Sequence, residues 1–286
     1  VDQRLPRRHS LVEATIHVDR LAVDAAAIET SDTRAAAVVR VILTALGFDE
    51  HRLLTLRLEQ KWPAYRIFAE RCGMPMPRTS ALSVYVRASA NPEELHRLLT
   101  ADFGDDYVIK PVVGAGSGDN GTYDHRADLQ MVFREPAGTV ETHIVQESVR
   151  LLRELRIHTI EDRLMPGLTF PRYGRDAVDA KTLDAVERFA AGQLDALPNE
   201  LIFDSLYGWD IAQTPAGWTV IEINPTGFHP VWCRGYQTTG FVQEGSDAIA
   251  NLALLIDAIQ TLYAVPIHLA NDDAILISVT SLRRAG

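Results

Sequence analysis

The chain has 286 residues, room for one large domain or for two to three small lobes around separate cores. Its 47% hydrophobic and 23% charged content are ordinary globular values and give no reason to expect long disorder. A formal net charge of -10 argues against a nucleic-acid or anionic-membrane partner, since both need a broad basic surface. A polyphosphate ligand would then have to be met by a few local Lys or Arg side chains. The two cysteines, Cys72 and Cys233, lie far apart without zinc-type spacing, which predicts a reduced, cytoplasmic setting. No apolar run follows the basic Arg4 to Arg8 patch, so neither a signal peptide nor a membrane span is expected. The Asn120-Gly121-Thr122 sequon is accordingly read as chance.

In chain order, Leu11 to Leu21 reads as a short strand. Ala25 to Leu46 reads as a helix with Ser31 or Asp32 as cap and Gly47 as stop. Neither carries visible chemistry. Lys61-Trp62-Pro63 opens a helix through Ile67, Phe68 and Ala69 that ends near Gly73, and Met74 to Thr79 is an extended, proline-stiffened connection. A helix over Glu93 to Leu99 leads to Asp106-Tyr107-Val108-Ile109-Lys110-Pro111-Val112-Val113, a strand whose apolar run one lysine interrupts. Such a lysine is costly to bury unless an anion meets it; the plainer alternative is a lysine snorkelling from a sheet edge.

Gly114 to Gly121 follows, rich in glycines that let backbone N–H groups approach a phosphate closely. Gly116 to Gly121 fits G-x-G-x-x-G, but Asn120-Gly121 is a hairpin signal leading to Thr122-Tyr123, where a dinucleotide fold needs a helix. A Walker loop fails because Lys-Ser/Thr does not follow. A glycine-rich flap between antiparallel strands remains, against a plain mobile hairpin.

Glu141 to Val149 reads as a strand that runs into Glu154-Leu155-Arg156-Ile157-His158-Thr159-Ile160. Backbone at Glu147 to Val149 could pair with an adenine edge. Glu154 could accept from ribose hydroxyls, and Arg156, two residues on and on the same face, could reach a phosphate or carboxylate. A helix from Ala180 to Leu197 packs as core. Trp209 to Pro225 is a hairpin around Pro215-Ala216-Gly217, with Asp210 on the first strand and Glu222 and Asn224, two apart, on one face of the second. Three oxygen-bearing side chains of this kind suit Mg²⁺, although a solvated polar sheet face would show the same pattern. Asn251 to Leu262 reads as an amphipathic helix and Asp273 to Leu282 as a late strand or frayed end.

The ordered set of Lys61, Val108-Ile109-Lys110-Pro111, the glycine flap, Ile144-Val145-Gln146-Glu147, Glu154-Leu155-Arg156, Asp210 and Glu222-Ile223-Asn224-Pro225 resembles the ATP-grasp superfamily over Lys61 to Leu262. It is most similar to the carboxylate-amine ligase branch, which includes D-alanine-D-alanine ligases, ribosomal-protein glutamate ligases and peptide-cyclising enzymes of natural-product pathways. The resemblance implies an α+β fold, two antiparallel-sheet lobes clasping ATP. It implies that Lys61 and Lys110 contact phosphates under a flap of Gly116, Ser117 and Gly118. Gln146, Glu147 and Val149 would line the adenine, Glu154 the ribose, and Asp210, Glu222 and Asn224 would hold Mg²⁺ (or Mn²⁺). The implied reaction activates a carboxylate as an acylphosphate and couples it to an amine or similar nucleophile, from an amino acid or peptide or within one molecule. A kinase and a non-catalytic nucleotide-binding module are the alternatives, and a homodimer is among the assemblies the resemblance allows.

The divisions expected are a short, reduced segment 1–60, a small lid lobe 61–148 and a larger lobe with the metal site 149–286. Relatives usually carry a preceding domain of about a hundred residues, a usual domain size, where here 60 residues precede Lys61, a departure from the pattern. Thr226 to Tyr236, dense in His229, Trp232, Arg234 and Tyr236, is the acceptor-site candidate, against a plain packed loop. Arg156 or Arg234 would orient the carboxylate or stabilise the oxyanion, a task suited to a planar guanidinium. Cys233 reads as filler rather than nucleophile.

Overall fold

Alternation along Glu154-Leu155-Arg156-Ile157-His158-Thr159 sends Leu155 and Ile157 to one face and Glu154, Arg156 and His158 to the other. In the computed structural model this segment is the strand that everything else in its sheet is built around. The structure describes residues 9–18, 43, 48, 58, 60–112, 129, 143–171, 178–224, 245–263 and 275–284. The predicted helix over Ala25 to Leu46 lies outside them, apart from Leu43.

Helix α1 (Lys61–Tyr65) continues as a π-helical stretch, Arg66–Arg71, and turns at Gly73, whose φ is 71. An extended link then leads to β2 (Thr79–Ala81), α2 (Leu82–Arg87), α3 (Pro92–Phe103) and β3 (Tyr107–Pro111). Helix α3 starts where its sequence says it should. The Asn91 side chain accepts from Glu94 N at 2.9 Å, Glu94 reaches back to Ala90 N at 2.9 Å, and Pro92 needs no partner for an N–H it lacks. With β4 (His143–Glu147), these strands form an antiparallel sheet in the order β2-β4-β3. Leu95, Leu99 and Phe103, four apart on α3, pack against Tyr107, Ile109 and Val145 from one face of it. Each such burial contributes about 1.5–3 kcal/mol. The other face presents Thr79, Gln146, Val108 and Lys110.

The second sheet is also antiparallel and holds β5 (Arg153–Ile160), β6 (Arg163–Pro171), β7 (Leu206–Thr214) and β8 (Gly217–Asn224) in the order β6-β5-β7-β8. Helices α4 (Ala180–Asp195) and α5 (Asn199–Ile202) join β6 to β7. Val186, Ala190 and Leu194 of α4 meet Leu155, Ile157, Trp209 and Ile211 in one core cluster. Strand β6 was not anticipated from sequence, because Pro166-Gly167 reads as a breaker. It survives as an edge strand: the register slips between the Ile157–Thr169 and Thr159–Leu164 pairs, and the proline falls inside that irregularity. At the opposite edge Val220 N and Thr219 Oγ1 donate to Pro75 O at 2.8 and 2.9 Å.

Helix α6 (Gly245–Tyr263) is longer than the predicted Asn251 to Leu262 and buries Leu255, Ile256 and Ile259. It is tied down at its end, where Tyr263 donates to Glu161 Oε2 at 2.9 Å and Arg163 donates to Leu262 O at 2.7 Å. The early and late strands pair with one another: β1 (His9–Val18) runs antiparallel to β9 (Ile275–Arg284). The chain is therefore α+β. Among the described residues no helix is long and apolar enough to cross a membrane.

Candidate functional site

The pairing of β5, β7 and β8 writes the site. Arg156 lies opposite Asp210 and Asp210 opposite Glu222, so these three stand in one row across the sheet. His158, Gly208 and Asn224 form the next row. The register shifts by one residue between Asp210 and Ile211, where Ile221 is the extra residue. That bulge lets Val220 and Ile223 both enter the core while Glu222 and Asn224 face the other way. Gly208 leaves a notch in the second row: a Cβ there would stand 3.7 Å from His158 Nε2 and 3.8 Å from Asn224 Cβ.

Asp210 is 3% exposed, and both its oxygens are taken by Arg156, through Nε at 2.7 Å and Nη2 at 2.6 Å. This is the short, parallel, two-bond geometry of a charge-assisted pair. Asn224 turns its amide nitrogen to Gly208 O at 3.2 Å and to Asp210 Oδ2 at 3.5 Å. Glu222 pairs with Lys61 Nζ at 3.2 Å. Lys61 also donates its backbone N–H to Val112 O at 2.9 Å, so it links the end of β3 to β8.

From the smaller sheet, Lys110 donates to Gln146 Oε1 at 2.7 Å, and Gln146 donates to Thr79 Oγ1 at 2.9 Å. Thr79 Oγ1 in turn donates a hydrogen bond to Pro77 O at 2.9 Å. Burial pulls the Lys110 ammonium below the usual lysine range; Glu222 opposes this, Lys61 adds to it, and Glu154 and Asp210 oppose it. The lysine of one sheet thus feels the carboxylates of the other. His158 donates from Nδ1 to Leu168 O at 3.0 Å, and burial lowers its pKa to about 4, so it is neutral.

In the link between the sheets, Glu147 N–H is engaged by Arg78 O at 2.8 Å and Ser148 N–H by Asp106 O at 3.0 Å. Val149 and the partly exposed Glu154 follow. The structure therefore brings Lys61, Lys110, Arg156, Asp210, Glu222 and Asn224 together. Gly116, Ser117 and Gly118 of the glycine run, and His229, Arg234 and Cys233 after β8, lie outside the described residues. The Arg156–Asp210 chelate and the Gln146 link to Lys110 were not foreseen. The parity of Arg156 and Asp210 was visible, but not the strand register that sets them opposite each other.

Among the described residues no three His, Cys, Asp or Glu side chains gather closely enough to hold a metal ion. A divalent cation here would rest on two carboxylates and the Asn224 amide, an open oxygen set of the kind that phosphate oxygens and water complete. The donor chemistry fits, with one condition: the cation and Arg156 contend for the same Asp210 oxygens.

Comparison with known proteins found no matching family model and no matching curated protein. Among solved structures, the chain resembles ATP-grasp ligases. One is the ATP-grasp ligase PsnB complexed with minimal precursor, Mg and ADP, with a TM-score of 0.37 and 17% identity over 70% of this chain and 60% of that one. A RimK domain protein ATP-grasp from Sphaerobacter thermophilus gives a TM-score of 0.41 and 14% identity over 71% and 67%. N5-carboxyaminoimidazole ribonucleotide synthetase from Thermotoga maritima gives 0.37 and 15% over 59% and 42%. The match thus spans 42% of the Thermotoga maritima chain and 60% of PsnB.

Proposed function

We propose that the chain is an ATP-dependent ligase that activates a carboxylate as an acylphosphate and couples it to an amine or similar nucleophile, releasing ADP and phosphate. The observation that carries this is the meeting of two polar faces. Lys110 from β3 and Lys61 from α1 share one electrostatic environment with Asp210 and Glu222 from β7 and β8. Cations for phosphate on one side and oxygen donors for a divalent cation on the other are what a metal–nucleotide site requires.

Lys61 and Lys110 hold the phosphates, and Gly116, Ser117 and Gly118 would offer them backbone N–H groups. The adenine edge falls to the Glu147 carbonyl and the Val149 N–H beside Gln146, and the ribose to Glu154. Mg²⁺ (or Mn²⁺) on Asp210, Glu222 and Asn224 would neutralise charge on the phosphate being transferred. Arg156 or Arg234 orients the carboxylate or stabilises the oxyanion of the coupling step, and His229 would serve the acceptor. The division of labour follows the smaller lobe, 61–148, and the larger, 149–286.

Amino acids, peptides and intramolecular ring closure all suit this chemistry. A screen for ADP release across amino acids and dipeptides tests it, the expected result being ADP and free phosphate in equal amounts with selected substrates. A stable phosphorylated product would replace the ligase by a kinase. Failure to bind nucleotide at all would sink both.

A further inference from the structure

The Asp210 carboxylate is almost wholly enclosed and is met by nitrogen donors on two sides. Arg156 grips both oxygens, and Asn224 aims its amide nitrogen at Oδ2. The Asn224 orientation is fixed independently, because Gly208 O can only accept a hydrogen bond and therefore faces that nitrogen. Glu222, the neighbour across the strand, is likewise held by Lys61. A divalent cation uses the same carboxylate oxygens that the guanidinium chelates, and it needs the oxygen of Asn224 where the nitrogen now points. Each oxygen keeps a second lone pair, but a guanidinium and a divalent cation on one buried carboxylate repel each other, and the Asn224 amide cannot present nitrogen and oxygen at once, so each demand weakens the other.

We propose that Arg156 competes with the metal for Asp210, so that cation binding, a half-turn of the Asn224 amide and release of the guanidinium from Asp210 form one coupled event. The inference rests on the ligase reading above and deepens it by giving an order to assembly. Arg156 becomes available to a carboxylate or oxyanion only after metal and nucleotide are in place. A buried carboxylate is then never left without a positive partner: the arginine leaves only as the cation arrives. Linkage makes the effect reciprocal, so whatever holds Arg156 on Asp210 weakens the metal, and the metal weakens Arg156 by the same factor.

The test uses the full chain with ¹⁵N-labelled arginine and follows the Arg156 Nε–Hε resonance, assigned by its loss in Arg156→Lys. With chelator present, a downfield, slowly exchanging signal is expected, which is the mark of a buried guanidinium bonded to a carboxylate. Mg²⁺ with ADP should shift it and open it to exchange with water, whereas ADP with chelator should not. In parallel, Mn²⁺ binding without nucleotide is measured by electron paramagnetic resonance. Arg156→Lys keeps the charge but cannot chelate, so Mn²⁺ should bind about tenfold tighter, the competing state having lost its population.

If Mn²⁺ binds the wild type, is weakened by Glu222→Gln, and yet leaves the Arg156 signal unmoved with no tightening in Arg156→Lys, the coupling is wrong and the ligase assignment stands. If the folded wild type binds neither Mn²⁺ nor ADP, the ligase assignment falls and the coupling with it. Should Arg156→Lys fail to fold, the wild-type spectrum with and without Mg²⁺ and ADP decides, since exposed arginines exchange too fast to mimic the buried signal.

Discussion

Lys110 and Gln146 are diagonal neighbours on adjacent antiparallel strands, joined by a 2.7 Å hydrogen bond on the face that looks toward the carboxylates of the larger sheet. The bond aims a partly buried ammonium that has been stripped of water. Such a group is worth most to a reaction in which negative charge gathers on a phosphate. Lys110→Ala should therefore keep the circular dichroism of the wild type while ADP release falls by about 10²- to 10³-fold. Undiminished ADP formation would remove Lys110 from the site.

Gln146 holds that lysine in place and is itself held by Thr79. Gln146→Leu leaves Lys110 without this acceptor and should cost about 1–3 kcal/mol of stability, read as a lower urea midpoint at unchanged slope. The Michaelis constant for ATP should rise more than turnover falls, because the ammonium is still present but no longer aimed. Equal stability would mean that the bond contributes nothing net.

Burial lowers His158 to about pKa 4, well under the ordinary histidine value, with the Leu168 carbonyl opposing this and Arg156 reinforcing it. The unfolded chain therefore takes up a proton that the fold refuses. Stability from this residue is complete above about pH 6.5 and is lost as pH falls toward 4, by at most about 3 kcal/mol. Thermal unfolding between pH 7 and pH 4.5 should show this slope. His158→Asn, which can still donate to Leu168 O but cannot titrate there, should flatten it.

Period-two alternation disclosed the β7–β8 hairpin, an apolar run disclosed β3, and a helix expected over Glu93 to Leu99 is found as Pro92–Phe103, lengthened by the Asn91 cap at one end and by the burial of Phe103 at the other. The hairpin of β7 and β8 was legible from Pro215-Ala216-Gly217, and with it the common face of Glu222 and Asn224. The Arg156–Asp210 chelate was not, because it depends on two strands 54 residues apart choosing one register. Gln146 gave no sign of serving Lys110, since its partner lies on a different strand and the sequence shows only a polar residue in an apolar run. Pro166-Gly167 hid β6, as local turn chemistry outweighs strand pattern until a neighbouring strand is known to accept the bulge. The pairing of β1 with β9 joins opposite ends of the sequence, and nothing local announces it.

Tyr263 ties the end of α6 to Glu161 by a 2.9 Å hydrogen bond, away from the row of Arg156, Asp210 and Glu222. Tyr263→Phe should lower stability by about 1–2 kcal/mol, the loss of a hydrogen bond to a carboxylate. Turnover per folded molecule should be unchanged. A comparable loss of turnover would mean that α6 helps to set the row of Arg156, Asp210 and Glu222.

The carbonyl of Pro75, against which Val220 and Thr219 rest, also governs how the molecule can meet its own kind. Strand β8 ends its sheet, and an unprotected sheet border invites a second chain to add itself as one more strand. Here Thr219 and Val220 on that border are met by a proline-bearing segment with too few amide hydrogens to act as a strand itself. The other border of this sheet is β6, whose kinked, proline-interrupted course is a poor template for an added strand.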